Sequence, residues 1–195
     1  MTTEPRKPGI GVLGDTPWGT HGCLFYDTQQ DLLDTVIPYL KAGLENHEFC
    51  LWVISEPLTR EAAAGALRQS VPDFDRYISE RSIEVVAASE WYIAGGVLDL
   101  RGIIHRFHEK LDEVLDRGYK GLRATGGASW LQRPAREHLC RYETELDKSI
   151  AGHCMRVLCT YPLAQSSAAE LLDVTRAHQF AAAKRNGDWE VIEAP

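Results

Sequence analysis

The sequence predicts an α/β protein with three layers, in which helices cover both faces of a mostly parallel sheet. Two observations carry this prediction. Strand-like and helix-like patterns alternate from about residue 21 to the C-terminal end, and such alternation is typical of parallel sheets. The run FCLWVIS at residues 49–55 is apolar without interruption, as expected of a strand that is covered on both faces.

Each predicted element has its own local signal. The helix after the first strand repeats apolar residues at helical spacing over 33–44, and Pro38 is expected to kink it. Thr59 is a candidate N-cap for the second helix, and Gly118 is a candidate C-cap for the third. The predicted strands cover residues 23–26, 49–55, 83–88, 121–125, 155–161 and 189–193. The predicted helices cover residues 31–46, 60–69, 100–118, 135–150 and 167–185.

Composition and charge narrow the class of protein. Residues 1–20 are rich in proline, glycine and threonine and are expected to form a flexible arm, whereas residues 21–195 form a single domain. The formal net charge of −7 argues against a nucleic-acid-binding surface, which needs a basic face. No signal peptide and no apolar stretch of membrane-spanning length is present, so we expect a cytoplasmic protein with no membrane contact.

The familiar motifs for phosphate binding and nucleophilic catalysis are either out of context or missing. GIGVLG at residues 9–14 spells G-x-G-x-x-G, yet no strand precedes it and no helix follows it. The turn after the first strand, YDTQQ, has no glycine and no Gly-Lys-Ser, so a phosphate-binding loop is missing. No G-x-S-x-G elbow is found either, and no catalytic residue is assigned.

Metal ligands are a weaker possibility. His105, His108 and Glu109 lie within one helical turn, but the apolar face of that helix turns both histidines toward solvent. His21 and Cys23 alternate along a strand, where both could be ligands, although no third or fourth partner lies nearby in the sequence. We therefore assign no metal and no cofactor, and leave open whether His21 and Cys23 bind one. The five cysteines are expected to be free thiols.

The candidate binding site follows from topology, because ligands of open parallel sheets bind beyond the carboxyl ends of the strands. The residues after the predicted strands are aromatic, acidic or small, and no lysine is among them. They are Tyr26, Asp27, Ser55, Glu56, Ser89, Glu90, Trp91, Tyr92, Thr125, Gly126, Gly127, Trp130, Thr160, Tyr161 and Pro162. Such an edge repels a polyphosphate and suits a small, largely apolar molecule. The alternative is that Trp91, Tyr92 and Tyr161 only close the end of the sheet as core.

An ordered set of segments along the chain resembles one known family. The segments are HGCLFYDTQQDLLDTVIPYLKAGLENHEFCLWVISEPLT, SEWYIAGG, GLRATGGASWL, RYETELD, LCTYPL and LLDVTRAHQFAAAKRNGDWEVIE. Together they resemble the MEDS family, named after methanogens, methylotrophs and the sensory domain of the dichloromethane regulator DcmR. The resemblance covers about residues 21–193. It implies a RecA/KaiC-like fold that has lost its phosphate-binding loop, and a role in sensing small hydrocarbon derivatives for an output domain.

The resemblance also implies which residues form the site. Glu90 is added to them because it follows the third predicted strand. The predicted ligand-binding residues are His21, Tyr26, Glu56, Glu90, Trp91, Tyr92, Thr125, Gly126, Trp130 and Tyr161. The residues expected to support the site are Arg123, Tyr142, Glu143, Asp173 and His178. Arg123 and Glu143 are interpreted either as a buried ion pair that orders the site or as purely structural, and we favour a structural role. His178 is expected in the middle of a helix, as a core histidine.

The leading hypothesis is a non-enzymatic sensory domain that binds a small organic molecule and takes part in signal transduction or transcription regulation. Since no output domain is recognised in the sequence, the signal is expected to pass to a separate partner protein. The alternative is a degenerate nucleotide-binding or transferase-like enzyme that uses Glu56 or Glu90 as a base. A third possibility is an interaction module that forms homo-oligomers through an exposed helix face.

Overall fold

The structure is a computed structural model, and it describes residues 9–11, 14–94, 97–127, 139–185 and 187–193. The strands are β1 (Thr20–Tyr26), β2 (Phe49–Ile54), β3 (Ile83–Ala87), β4 (Ile93–Ala94), β5 (Val97–Leu98), β6 (Leu122–Gly127), β7 (Met155–Pro162), β8 (Phe180–Arg185) and β9 (Asp188–Glu193). The helices are α1 (Gln29–Glu45), α2 (Arg60–Ser70), α3 (Phe74–Ser79), α4 (Ala88–Tyr92), α5 (Leu100–Asp116), α6 (Leu139–Ile150) and α7 (Ala168–Arg176).

The main sheet has seven strands in the order β3-β2-β6-β7-β1-β8-β9. All neighbouring strands in it are parallel except β8 and β9, which pair antiparallel at one edge. Helices α1, α2 and α3 contribute to the core on one face of the sheet. Helices α4, α5, α6 and α7 contribute to the core on the other face. The predicted three-layer, mostly parallel α/β architecture is therefore confirmed.

Local signals explain why several elements begin and end where they do. Every residue of β2 is buried, in agreement with its unbroken apolar sequence. The Thr59 side chain accepts a hydrogen bond from the backbone of Ala62 at the start of α2, so the predicted N-cap is confirmed. Gly118, just after α5, adopts a left-handed backbone with φ of 87°, as its predicted C-cap role requires. Helix α1 continues through Pro38.

The prediction of one helix over residues 167–185 is wrong. Helix α7 ends at Arg176, and the alanine-rich segment Phe180–Arg185 is strand β8, which pairs with β1 and β9. Alanine favours helices in isolation, but here Ala181 and Ala182 are buried between sheet neighbours and both helix layers. Consequently His178 lies in the connection between α7 and β8 and not inside a helix. The short elements α3, α4 and the hairpin of β4 and β5 were not predicted.

The described parts of the N-terminal segment pack against the α1 face. Ile10 is buried in that core, and Gly9 approaches α1 so closely that a Cβ would lie 2.1 Å from the carbonyl oxygen of Pro38. The ring of Trp18 lies 4.3 Å from the guanidinium carbon of Arg156. Among the described residues, no helix combines the length and the apolar character that are needed to cross a membrane.

Candidate functional site

The predicted edge of the sheet contains an open groove. It lies beyond the carboxyl ends of β2 and β3 and has a volume of about 480 Å³. Its lining residues include Glu56 and Glu90, which the sequence placed together. The carboxylate of Glu90 contacts the guanidinium of Arg60, and both side chains are exposed. Among the described residues that line the groove there is no aromatic ring, so it differs from the aromatic cleft that was expected.

Trp91 points into the core and not into this groove. Its side chain is only 8% exposed, and its ring centroid lies 5.2 Å from that of Phe107 on α5. Trp91 and Glu56, which were both assigned to the predicted ligand site, therefore lie apart, because α4 follows β3 directly and turns this ring toward the α5 layer. Tyr92 also turns to this side, where a Cβ on Gly126 would lie 3.1 Å from its hydroxyl oxygen. Gly126 thus leaves space for the Tyr92 phenol.

Other predicted residues lie apart from one another. Thr125 is buried, and its hydroxyl donates to the backbone oxygen of Leu158. Asp173 is exposed on α7, Tyr26 is half-buried at the end of β1, and Trp130 lies outside the described residues.

The proposed pairing of Arg123 with Glu143 is wrong. Arg123 binds the carboxylate of Glu48, with 2.6 Å between Nε and Oε2. Its neighbours in β6, Leu122 and Ala124, belong to the core on the α5 side, so alternation along the strand turns Arg123 toward α1. Glu143 on α6 lies on the opposite face of the sheet.

Four buried polar side chains meet on the face that is covered by α4–α7. Cys159 comes from β7 and His21 from the adjacent strand β1, while Glu143 comes from α6 and His178 from the connection before β8. Their ligand atoms all lie within 4.8 Å of one another, and we call these four residues the histidine cluster. Nε2 of His21 lies 3.4 Å from Sγ of Cys159 and 3.4 Å from Oε2 of Glu143.

Neighbouring groups hold the histidine cluster in place. The hydroxyl of Tyr161 donates to Oε1 of Glu143 at 2.6 Å. Nδ1 of His178 lies 2.7 Å from the backbone oxygen of Val174, and Nδ1 of His21 lies 3.7 Å from Oδ1 of Asp147. Hydrogen bonds therefore anchor the Glu143 carboxylate and the His178 ring, while Oε2 of Glu143 is more widely spaced from the two histidines.

The electrostatics of the cluster follow from burial and from the mutual proximity of its members. Burial and the neighbouring His21 lower the pKa of His178 to about 4, so this imidazole is neutral near pH 7. Burial lowers the pKa of His21, but the Asp147 and Glu143 carboxylates outweigh it and leave that pKa above its ordinary value. Burial would raise the pKa of Glu143, yet the two histidines and the Tyr161 hydroxyl lower it overall.

Cys159, His21 and Asp147 follow the order of a nucleophile, a base and an orienting acid. However, burial and the Glu143 carboxylate raise the pKa of the Cys159 thiol well above its usual value. A thiol that stays protonated is a poor nucleophile, and the arrangement does not favour cysteine catalysis.

The surroundings of the histidine cluster are aromatic. Tyr142 and Tyr161 are buried beside it, and burial raises the pKa of both phenols well above the usual value, so they stay neutral. Arg106 on α5 donates from its guanidinium to the backbone oxygen of Trp91 at 2.8 Å. Nε1 of Trp91 and Nε of Arg106 are buried, and neither has a hydrogen-bond partner in the described part of the chain.

The ligand atoms of the histidine cluster are the nitrogen, sulfur and oxygen atoms that bind transition metals in proteins. The sequence suggested His21 and Cys23 as possible metal ligands and showed no third or fourth ligand nearby. The structure corrects this expectation, because His21 is joined by Glu143, Cys159 and His178, whereas the Cys23 thiol contacts the backbone oxygen of Phe180. The five cysteines are all free thiols, as predicted.

Comparisons with known proteins place the chain in context. The sequence profile described as MEDS, MEthanogen/methylotroph, DcmR Sensory domain, matches residues 20–179. No curated protein matches the chain by sequence. Among solved structures, a KaiC-like protein from the hyperthermophilic archaeon Pyrococcus horikoshii OT3 is similar, with a TM-score of 0.62 and 16% identity over 97% of this chain and 86% of that chain. At this identity the similarity shows the fold alone, and it confirms the predicted KaiC-like architecture.

Proposed function

The chain belongs to the MEDS family of sensory domains, and from this premise we propose that it binds a small organic molecule between the sheet and helices α4–α7. The proposed ligand is a hydrocarbon derivative with one or two polar atoms. The bound state is passed to a separate partner protein. The proposed binding region contains the histidine cluster together with Trp91, Tyr92, Arg106 and Tyr142.

The observation that carries this proposal is a group of buried polar atoms without partners on this face. Within the described residues, Nδ1 of His21, Nε1 of Trp91, Nε of Arg106 and Nε2 of His178 are buried and make no hydrogen bond. Each buried unpaired group costs about 1–3 kcal/mol, and native proteins keep few of them. Their concentration on one face of the sheet supports a site that a bound molecule or ion completes.

The surrounding side chains supply the apolar area that a small ligand needs. Tyr161 packs on Phe25, with 5.9 Å between the ring centroids, and Trp91 packs on Phe107. Ligand sites typically combine such aromatic walls with a few polar groups that fix orientation. The open groove at Glu56 is a less suitable site, because its described lining residues include no aromatic ring and Arg60 already neutralises Glu90. The enzyme alternative needs Glu56 or Glu90 of this groove as a base. It stays second, because Arg60 already neutralises Glu90.

The test is a thermal-shift screen of short-chain alcohols, aldehydes, halogenated hydrocarbons and carboxylates. At about 100 times its dissociation constant, a ligand stabilises a domain of this size by roughly 5–10 °C. We expect this shift in the wild type and in the groove variant Glu56→Gln, and a much smaller shift in Tyr142→Phe. The screen is run on both chelator-treated and zinc-treated protein, so that its outcome does not depend on a metal.

The proposal is contradicted if no compound stabilises either form of the wild type. It is also contradicted if Glu56→Gln abolishes the shift while Tyr142→Phe keeps it, because the ligand would then bind in the open groove.

A further inference from the structure

We infer that the histidine cluster is a zinc site, in which four side chains bind one Zn²⁺ ion. The ligands are Nε2 of His21, Nε2 of His178, Sγ of Cys159 and Oε2 of Glu143. Histidine nitrogen, cysteine sulfur and carboxylate oxygen are the ligands that zinc uses in proteins, and structural zinc sites have four of them. This inference does not require that the proposed organic ligand binds.

Four of the six distances between the ligand atoms match a tetrahedral site, and all six are within 4.8 Å. Zinc–ligand distances of about 2.0–2.3 Å place neighbouring ligand atoms of a tetrahedron about 3.3–3.6 Å apart. The printed sequence separates these residues widely, yet Nε2 of His21 lies 3.4 Å from both Sγ of Cys159 and Oε2 of Glu143. Oε2 of Glu143 lies 3.5 Å from Sγ of Cys159 and 3.6 Å from Nε2 of His178.

The distances from Oε2 of Glu143 to the two histidine nitrogens are too long for direct hydrogen bonds, whereas both contacts of the Cys159 sulfur lie within the hydrogen-bond range of sulfur. Nitrogen donors normally lie 2.7–3.2 Å from the oxygen that accepts their hydrogen. Two imidazole nitrogens surround Oε2 of Glu143, and neither comes within that range. By contrast, Oε1 of the same carboxylate accepts from Tyr161 at 2.6 Å. A cation between the four atoms accounts for both the wide spacing around Oε2 and the unpaired Nε2 of His178.

The neighbours of the cluster orient the ligands as zinc requires. Nδ1 of His178 donates to the backbone oxygen of Val174 at 2.7 Å, which leaves the lone pair of Nε2 directed into the cluster. Nδ1 of His21 faces the Asp147 carboxylate at 3.7 Å. Zinc-binding histidines usually donate their other ring nitrogen to a carbonyl or carboxylate, as His178 does here.

Burial and charge point to the same ion. The four side chains are each at most 9% exposed, so an uncompensated anion there is costly. A Cys159 thiolate and a Glu143 carboxylate together carry two negative charges, which one Zn²⁺ neutralises. A bound zinc ion also removes the thiol proton, since a coordinating thiol is deprotonated outright.

Four protein ligands complete the coordination of zinc, as in structural sites. The ion would connect β1, β7, α6 and the connection between α7 and β8. These elements form one wall of the region in which we propose that the organic ligand binds.

The test is equilibrium dialysis of the full chain against Zn²⁺, with the bound metal measured by mass spectrometry. The variants are Cys159→Ser and His178→Ala. The matched control is Cys50→Ser, because Cys50 is also buried, on the opposite face, and serine keeps a donor for the backbone oxygen of Leu40. We expect one equivalent of zinc in the wild type and in Cys50→Ser, and at least a tenfold loss of affinity in the other two variants.

Cobalt(II) titration of the wild type keeps the inference testable if a variant fails to fold. We expect a thiolate-to-cobalt charge-transfer band together with the intense visible bands of tetrahedral Co²⁺. Absence of the charge-transfer band in the folded wild type overturns the zinc site, as does unchanged zinc affinity in a folded Cys159→Ser protein. The ligand screen is also run on chelator-treated protein. Zinc binding and binding of the proposed organic ligand are therefore measured independently, and the failure of one does not imply the failure of the other.

Discussion

Two buried polar clusters lie on opposite faces of the same sheet, and they are built differently. On the α1 face, Glu48 bonds to Arg123 at 2.6 Å and to Arg156 at 3.0 Å, and we call these three residues the arginine cluster. Its side chains are at most 1% exposed, and the Arg123 guanidinium also lies 4.8 Å from the centre of the Tyr39 ring. The histidine cluster is about as deeply buried, yet Oε2 of Glu143 lies 3.4 Å from Nε2 of His21 and 3.6 Å from Nε2 of His178.

The difference separates a structural cluster from one in which we infer a bound zinc ion. In the arginine cluster, opposite charges meet directly, so their desolvation is compensated within the protein. In the histidine cluster, Glu143 and His178 make short hydrogen bonds with Tyr161 and Val174, and the Cys159 sulfur contacts His21 and Glu143. Oε2 of Glu143, however, stays 3.4 Å and 3.6 Å from the two histidine nitrogens. The first cluster is held by direct ion pairs, whereas in the second the long contacts around Oε2 of Glu143 support the inferred zinc ion.

The largest expected effect comes from breaking the arginine cluster. Glu48→Ala leaves two arginines buried without their carboxylate, which should lower the free energy of unfolding by about 3–5 kcal/mol. Urea unfolding of wild type and variant measures this loss. The control Glu45→Gln breaks only an exposed pair with Lys41 on the same helix and should cost less than about 1 kcal/mol. A similar small loss in Glu48→Ala would show that the arginine cluster does not hold the sheet to α1.

A smaller effect is expected from zinc on the histidine cluster. At about 100 times its dissociation constant, Zn²⁺ should stabilise the folded wild type by about 2.7 kcal/mol, which calorimetry detects as a higher Tm. Glu143→Gln should abolish most of this increase, because the variant lacks a charged oxygen ligand. In Glu45→Gln the increase should be kept. Equal stabilisation of wild type and Glu143→Gln would mean that zinc acts elsewhere on the protein.

The sequence predicted the sheet well, because the signals for it are local. The apolar run of β2 and the cap at Thr59 depend on adjacent residues only. Strand β8 was missed, since its alanines are fixed by neighbours in the sheet and not by their own helix propensity.

The histidine cluster could be predicted only in part. The family resemblance nominated His21, Glu143 and His178 one by one, but Cys159 was predicted only to be a free thiol. Residues from four distant segments meet there, and no spacing in the sequence encodes their distances. One signal was available: Cys159 lies two positions from Val157, the register partner of His21 in the adjacent strand, so both side chains share one face.

Gly43 in α1 gives a third test, on the side of the arginine cluster. A Cβ at this position would lie 2.7 Å from both Cδ of Arg123 and Sγ of Cys50. Alanine normally favours a helix over glycine by about 1 kcal/mol, but here we expect Gly43→Ala to destabilise the fold by about 1–3 kcal/mol through overpacking. Urea unfolding decides the sign. Gly65→Ala on α2 is the control, since nothing lies within 4 Å of its added Cβ, and it should be neutral or stabilising. A stabilised Gly43→Ala protein would show that the arginine cluster is not tightly packed.

The smallest effect is expected in the open groove. Arg60→Ala removes the exposed pair with Glu90, which should change the free energy of unfolding by less than about 1 kcal/mol. Zinc affinity should stay unchanged, because Arg60 is on α2 and the histidine cluster lies on the other face. Urea unfolding and zinc dialysis measure the two quantities. A clear loss of zinc binding in Arg60→Ala would mean that the groove and the histidine cluster are coupled, against this expectation.

The most direct measurement is an anomalous difference map at the zinc absorption edge, from crystals of the full chain grown with Zn²⁺ and without chelator. We expect a single strong peak on this face of the sheet, at about 2.0–2.3 Å from Nε2 of His21, Nε2 of His178, Sγ of Cys159 and Oε2 of Glu143. A map with no peak among these four atoms, or with zinc only at exposed histidines such as His105, would contradict this expectation.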